Sequence, residues 1–236
     1  MAQKLFGEFE EISPKAWKQK IQYDLKGADY NETLVWESPE GVKTKPFYHQ
    51  DDIEEGSDRR TTSNIEWEIG QEIFVRNAKK ANQKALDTLQ RGAESLIFNI
   101  PSENITIEEL LADIDLESVP VHFNFQFLSL TYFGQILEYF KSKKSKPHFN
   151  IDIIGHLART GNWYFDLKKD YEILEDIVSR SALDRGSLVF GVDISLYQNA
   201  GANIVQQLAY ALAHANEYLN WYGSTMETIT FKLAVG

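Results

Sequence analysis

The chain has 236 residues, a hydrophobic content of 43% and a formal net charge of −11, which is the composition of an ordinary globular protein. The acidity argues against nucleic acid or an anionic membrane surface as a partner, because a polyanion would be repelled. Cysteine is absent, which excludes disulfides and thiol chemistry, and no apolar run is long enough for a bilayer span or a secretory signal, so the sequence predicts a cytoplasmic protein.

The first predicted elements lie in residues 1–62, which are rich in aromatic and charged residues but show little sustained periodicity. Ser13 and Pro14 form a typical helix start, and residues 34–36 and 45–48 read as the two strands of a hairpin. A segment this small cannot bury its own rings, so we expect it to pack on another surface. The candidate partner-binding residues are Trp17, Tyr23, Trp36, Phe47 and Tyr48.

From about residue 63 onward, strand-like and helical segments alternate. Strands are predicted at residues 72–75, 95–100, 119–125, 149–154, 187–192 and 229–235, and helices at residues 77–90, 107–112, 130–142, 164–181 and 203–222. This alternation predicts an α/β fold with a parallel sheet. Periodicity alone does not choose between a doubly wound sheet and an eight-stranded barrel.

The last predicted helix carries the most regular apolar pattern of the chain. Its apolar residues recur at three- and four-residue steps: Ile204, Val205, Leu208, Leu212, Ala215, Leu219 and Tyr222. We expect this stripe to face the core. The polar residues Gln206, Gln207, His214 and Asn216 are expected to face elsewhere.

This helix and the turn before it also carry a recognisable pattern. Asn199-Ala-Gly-Ala202, Gln207-Leu-Ala-Tyr-Ala-Leu-Ala213 and Glu217-Tyr-Leu219 resemble the corresponding region of the methylmalonyl-CoA mutase family, specifically its small, non-catalytic subunit. The N-terminal pattern of Trp17, Asp24-Leu-Lys-Gly27, Trp36 and Pro46-Phe-Tyr48 resembles the region of that subunit that wraps around the catalytic subunit.

The resemblance implies a (β/α)₈ barrel of the TIM type. By this count residues 63–236 supply about six of the eight βα units, and residues 1–62 form the extension that contacts the partner. An incomplete sheet would expose two unpaired edges. We therefore expect either that the chain is a fragment or that it closes its sheet with another chain, including by self-association.

The resemblance further implies a heterodimeric, adenosylcobalamin-dependent enzyme that interconverts methylmalonyl-CoA and succinyl-CoA. The large subunit would hold substrate and cofactor, and no cofactor or metal is expected on this chain. Polar positions that line the active cavity of the family's catalytic chain are replaced here, so no catalytic residue is expected. These replaced positions are Ile65, Gly70, Glu72, Ser195 and Leu196.

Polar residues at predicted strand ends leave a second function open. A vestigial pocket would be lined by Gln126, His156, Asp193, Gln198 and Asn199. In the alternative reading, the chain is a related acyl-CoA mutase or acyl-CoA-binding barrel with its own ligand site, for which Arg76, Arg159 and Arg185 are the nearest phosphate ligands. A stand-alone binding protein is the third reading.

Overall fold

The computed structural model describes residues 12–49, 52, 67–182, 189–223 and 229–233. The chain divides into two compact units, Met1–Ile65 and Glu66–Gly236. Among the described residues, no helix combines the length and the apolar character that a membrane span requires.

The N-terminal unit begins with the helix α1 (Pro14–Asp24). The side chain of Ser13 caps this helix by accepting a hydrogen bond from the backbone N–H of Ala16 at 3.2 Å, which confirms the predicted start. A second helix, α2 (Tyr30–Leu34), follows, and its first turn donates two backbone N–H groups to the carboxylate of Asp29.

A short antiparallel hairpin completes the described part of this unit. Its strands are β1 (Trp36–Glu37) and β2 (Lys43–Thr44). The predicted hairpin exists, but the predicted strand boundaries are wrong. The Asp29 cap starts a short helix that runs to residue 34, where the first strand was expected, and the second strand ends before residue 45.

The described residues of the second unit form six strands, and all the pairings among them are parallel. They are β3 (Gly70–Phe74), β4 (Ser95–Ile100), β5 (Val121–Phe125), β6 (Pro147–Asn150), β7 (Phe190–Asp193) and β8 (Ile229–Lys232). The first four form one sheet in chain order, and β7 pairs with β8. A parallel bridge between Ile151 and Phe190 links the two sets, with the Ile151 N–H donating to the Val189 carbonyl at 2.9 Å. The predicted α/β class and parallel sheet are confirmed.

Helices connect these strands. They are α3 (Ala78–Gln90), α4 (Ile107–Leu110), α5 (Leu130–Phe140), α6 (Ile153–Thr160), α7 (Leu167–Ala182), α8 (Ser195–Asn199) and α9 (Ile204–Tyr222). The predicted strand at residues 149–154 is partly wrong, because the Asp152 carboxylate accepts the Gly155 N–H at 2.7 Å and starts α6 there.

The two faces of the sheet differ in chemistry. Phe98, Phe123 and Phe149 are fully buried on the face that the helices cover, and their rings stack across β4, β5 and β6 at centroid distances of 6.2 and 5.9 Å. Because side chains alternate along a strand, the residue after each of these phenylalanines points to the opposite face. That opposite face carries the polar residues described below.

The orientation of α9 contradicts the prediction from its apolar stripe. The residues Ile204, Val205, Leu208, Leu212 and Leu219 are exposed, whereas Ala211, His214, Ala215, Tyr218 and Tyr222 are buried. The Phe190 ring of β7 lies 5.3 Å from the Tyr218 ring and 5.1 Å from the Tyr222 ring, so aromatic residues and small alanines form the contact with the sheet. Of the predicted stripe, only Ala215 and Tyr222 face the core, and His214 was wrongly expected to face away from it.

Candidate functional site

Three asparagines form a hydrogen-bonded ladder on the face of the sheet that points away from the helices, here called the inner face. Asn99, Asn124 and Asn150 occupy matching positions on β4, β5 and β6. The Asn150 amide donates to the Asn124 side-chain oxygen at 2.9 Å, and the Asn124 amide donates to the Asn99 oxygen at 2.7 Å. All the side-chain bonds of this asparagine ladder therefore run in one direction, towards β3.

A carboxylate terminates the asparagine ladder at its Asn99 end, and a hydroxyl group terminates it at its Asn150 end. The Asn99 amide donates to Glu72 Oε1 at 2.6 Å, and Thr230 Oγ1 lies 3.1 Å from Asn150 Oδ1. Lys232 on β8 reaches back to β3, with its Nζ 3.4 Å from Glu72 Oε1. The hydrogen bond from Asn99 lowers the pKa of Glu72, burial partly opposes it, and the charge of Lys232 lowers the pKa further. Glu72 is thus an ionised acceptor that is already occupied by groups of this chain.

Two histidines lie beside the ladder on the same face. His122 and His148 are paired in register on β5 and β6, and their rings stack at 4.8 Å. Burial, and then the neighbouring His148, lower the pKa of His122 to about 4, and burial lowers the pKa of His148. Nδ1 of His148 is buried with no hydrogen-bond partner among the described residues. Both rings are therefore neutral near pH 7.

A second polar cluster lies where β6 ends. Asp152 Oδ1 accepts hydrogen bonds from the Gly155 N–H at 2.7 Å and from the Tyr218 hydroxyl at 2.9 Å. His214 Nε2 lies 2.8 Å from the same oxygen, although without hydrogen-bond geometry, and His214 Nδ1 lies 2.9 Å from the Tyr197 hydroxyl. These contacts join α6, α8 and α9.

The chemistry of this cluster favours positioning over proton transfer. Burial, and then the charge of Asp152, raise the pKa of both Tyr197 and Tyr218, so both phenols stay protonated, and Tyr218 donates its proton to Asp152 in a hydrogen bond. His214 is almost completely buried between them. The cluster thus holds three helices against the end of β6.

The structure brings together only part of the predicted pocket. Asp193 ends β7, accepts hydrogen bonds from the backbone and side chain of Ser195, and lies 3.7 Å from Arg159 on α6. His156 is on the same helix, where its ring stacks on Tyr164 at 3.6 Å and burial lowers its pKa. The remaining predicted residues are Gln126, which is exposed after β5, and Gln198 and Asn199, which lie in α8. Among the described residues, no hydrogen bond or ion pair joins these three side chains to Asp193.

The predicted partner-binding aromatics belong to the N-terminal unit. Trp17, Tyr23, Trp36 and Tyr48 are exposed there, and Phe47 is half-buried, with its ring in an edge contact with Trp17 at 6.4 Å. The unit therefore presents large rings to solvent, and their role in binding a partner stays a prediction.

A comparison with models of known protein families complements the geometry of the site. The methylmalonyl-CoA mutase family model matches residues 102–228, more than half of the chain. The chain belongs to the methylmalonyl-CoA mutase family. This confirms the resemblance drawn from the motifs around α9, and it makes the chain a member of an isomerase family.

The relatives of this mutase family member share one description. The chain is similar to the methylmalonyl-CoA mutase small subunit of Porphyromonas gingivalis, with 33% identity over 92% of this chain and 38% of the relative. The small subunits of Propionibacterium freudenreichii subsp. shermanii and Streptomyces virginiae are each 23% identical over 91% of this chain, which spans 38% and 39% of their lengths. The chain therefore spans less than two fifths of these relatives.

The positions expected to differ from the family's catalytic chain can now be located. Ile65 lies outside the described residues. Gly70 begins β3, where an added Cβ would lie 3.1 Å from the Ser95 hydroxyl oxygen. Glu72 belongs to the network of the asparagine ladder, Ser195 bonds to Asp193, and Leu196 is a half-buried residue of α8.

Sequence reasoning missed most of the polar residues that the structure joins. It did not single out the asparagine ladder, although a Phe-Asn pair recurs on β4, β5 and β6 at the same alternating position. It also missed Tyr197, Asp152 and His214 as a group. Asp152 and Tyr218 are 66 residues apart, and no local pattern signals such a contact.

Proposed function

We propose that this chain is the structural, non-catalytic small subunit of a heterodimeric, adenosylcobalamin-dependent methylmalonyl-CoA mutase. In this proposal the complex interconverts methylmalonyl-CoA and succinyl-CoA in the cytoplasm. The large subunit carries the substrate and the cofactor. Family membership and the shared description of the three relatives as small subunits support the assignment.

The observation that carries the non-catalytic role is the state of Glu72. This residue stands where the resemblance assigns the family's catalytic chain a tyrosine that lines the active cavity. Here the carboxylate accepts the end of the asparagine ladder and pairs with Lys232. A substrate that entered this face would have to break a connected set of hydrogen bonds and would leave polar groups unpaired. The connected hydrogen bonds of Glu72 thus support a non-catalytic role for this face.

The fold part of the proposal is a partial TIM-type barrel preceded by an extension that reaches the partner. Neighbouring strands follow chain order without the reversal that a doubly wound sheet requires. Lys232 on β8 approaches Glu72 on β3 across the inner face, which indicates a strongly curved sheet.

The four histidines of the second unit do not fit a role as the lower cobalt ligand of a corrinoid. His122 and His148 stack on each other inside the sheet, His156 stacks on Tyr164, and His214 is buried against Asp152. We therefore assign the cofactor to the large subunit and derive no step through it on this chain.

Co-purification with the large subunit tests the proposal. We expect the co-expressed large subunit to bind this chain, and Trp36→Ala to weaken binding by about tenfold, because exposed aromatic anchors carry much of an interface's energy. Phe165→Ala is the matched control, since Phe165 is equally exposed but belongs to the second unit. Failure of the wild-type chain to bind the large subunit would refute the assignment.

Calorimetry separates the proposal from an acyl-CoA-binding function. We expect no heat of binding when an acyl-CoA is titrated into the isolated chain. Of the arginines that could hold the phosphates, Arg159 is already 3.7 Å from Asp193, and Arg185 lies outside the described residues. Saturable binding of an acyl-CoA to the chain alone would favour the alternative reading.

A further inference from the structure

Tyr197 of α8 and His214 of α9 form a contact that the proposed function does not use. The Tyr197 hydroxyl lies 2.9 Å from His214 Nδ1, and Asp152 Oδ1 lies 2.8 Å from Nε2 on the other side of the same ring. A phenol, a base and a group that orients the base therefore follow one another in space. We call these three residues the Tyr197 relay.

The position of Asp152 determines the direction of the hydrogen bond in the Tyr197 relay. A carboxylate oxygen beside Nε2 favours the tautomer of His214 that carries its proton there, and Nδ1 is then an acceptor. Burial, and then the charge of Asp152, raise the pKa of Tyr197, so the hydroxyl keeps a proton that it donates to Nδ1. At rest the relay thus holds a protonated phenol against a basic nitrogen.

The surroundings of the Tyr197 relay argue against acid–base or nucleophilic catalysis. The side chain of His214 is only 1% exposed, so a substrate has no access to the ring. The raised pKa of Tyr197 also disfavours the phenolate that a nucleophile would require. Transfer of an electron needs no such access, because electrons pass between aromatic rings that are close together.

Tyr210 of α9 connects the Tyr197 relay with solvent. Its ring lies 5.4 Å from the ring of Tyr197, which is the separation of rings in near contact, and Tyr210 is 49% exposed. Tyr197 is held in place, since its backbone N–H donates to Ile194 and its carbonyl accepts from Ala200 and Ala202. An electron can therefore pass between solvent and the half-buried ring without rearrangement of the chain.

We propose that Tyr197 is a redox-active tyrosine that donates one electron to oxidising radicals, with His214 as the acceptor of its proton. The radical gains one electron, the O–H bond of Tyr197 breaks, and the proton forms an N–H bond at His214 Nδ1. The products are a neutral phenoxyl radical and an imidazolium, whose charge the Asp152 carboxylate offsets.

The reverse step restores the Tyr197 relay. A one-electron reductant of the ascorbate class supplies an electron through Tyr210, and the proton returns from Nδ1 to the phenoxyl oxygen. The chain thereby converts an oxidising radical into a reduced product without permanent change to its own side chains. This activity uses groups of this chain alone and does not depend on the function proposed above.

Photo-oxidation from a fixed position tests the proposal, because the natural chain contains no cysteine and a single thiol can be introduced. Ala213→Cys places that thiol at an exposed position one turn after Tyr210, and a ruthenium polypyridyl complex is attached to it through a maleimide. A light flash in the presence of methyl viologen then generates the ruthenium(III) oxidant. Transient absorption follows the phenoxyl radical, and electron–nuclear double resonance detects protons coupled to it.

The substitutions in the labelled chain have distinct expected results. We expect Tyr197→Phe to lower the yield of long-lived phenoxyl radical severalfold, and Tyr171→Phe, which removes a buried tyrosine of α7, to leave the yield unchanged. His214→Gln should slow radical formation by at least about tenfold, because a positioned base commonly contributes more than that. The natural radical should show a coupled exchangeable proton, from the imidazolium N–H, that disappears in D₂O and in His214→Gln.

Two results would overturn the proposal. An equal yield of long-lived radical with Tyr197→Phe would show that another residue carries the oxidation. A radical without the exchangeable proton would show that His214 does not receive the proton, whatever structural role the hydrogen bond has. The second measurement needs no substitution in the Tyr197 relay, so it decides the matter even if circular dichroism shows that His214→Gln does not fold.

Discussion

Replacing Asn124 by alanine tests whether the asparagine ladder stabilises the sheet. Asn124 is half-buried and makes two of the ladder bonds, accepting from Asn150 at 2.9 Å and donating to Asn99 at 2.7 Å. A typical bond contributes about 1 kcal/mol net, and a polar partner left without a bond adds a desolvation cost. Because water reaches a half-buried side chain, we expect the free energy of unfolding to fall by about 1–3 kcal/mol.

Urea unfolding followed by circular dichroism measures this change. Asn220→Ala, on the exposed side of α9, is the control, and we expect its effect to stay within about 0.5 kcal/mol. A double-mutant cycle with Asn150→Ala should give a coupling energy of about 0.5–1 kcal/mol, because the two side chains share a bond. A loss below about 0.5 kcal/mol with no coupling would show that water replaces the ladder, and the argument would be refuted.

Three further substitutions test neighbouring features. The pKa of His122 is lowered from 6.5 to about 4, so the unfolded chain binds a proton that the folded chain does not, and stability falls as the pH drops from 6.5 to about 4. We expect His122→Gln to flatten this fall in pH-dependent urea melts; a slope equal to that of the unsubstituted chain would contradict the assignment. Tyr218→Phe leaves Asp152 without one donor and should cost about 1–3 kcal/mol of unfolding free energy, whereas a neutral result would mean that the cluster does not stabilise the fold. A methyl group at Gly191 would lie 3.0 Å from a ladder side chain, so Gly191→Ala should lower the melting temperature, and an unchanged value would show that β7 can move aside.

The strand–helix alternation of the second unit was predictable because buried parallel strands read as apolar runs between polar turns. The short helices α6 and α8 were not, since an apolar run that contains Asp152 looks like a continuing strand. The orientation of α9 was mispredicted for a different reason. Hydrophobic periodicity identifies an apolar face without saying whether that face meets the chain's own core, and here alanines and tyrosines form the core contact instead.

In the candidate site, too, a local sequence pattern was informative, whereas contacts between residues far apart in the sequence could not be predicted. The recurring Phe-Asn pair was a local signal for the ladder, because a buried phenylalanine fixes the direction of the asparagine that follows it. The pairing of Glu72 with Lys232 joins residues 160 positions apart and depends on how the sheet curves. The contact between Asp152 and His214 likewise requires α9 to approach the end of β6, which its apolar stripe did not predict.

The two faces of the second unit differ in how well their side chains are satisfied by contacts within the chain. On its inner face the Asn99–Glu72 bond, the rest of the ladder and the Lys232 contact satisfy polar groups with one another, so this face gains little from a ligand. On its outer side, the exposed leucines of α9 (Leu208, Leu212 and Leu219) leave apolar groups in water, which favours association. For a structural subunit, substitutions in the ladder should therefore change the stability of the chain without changing its affinity for the large subunit. Substitutions such as Trp36→Ala in the N-terminal unit should do the reverse, and an inner-face variant that lost binding at unchanged stability would contradict this division.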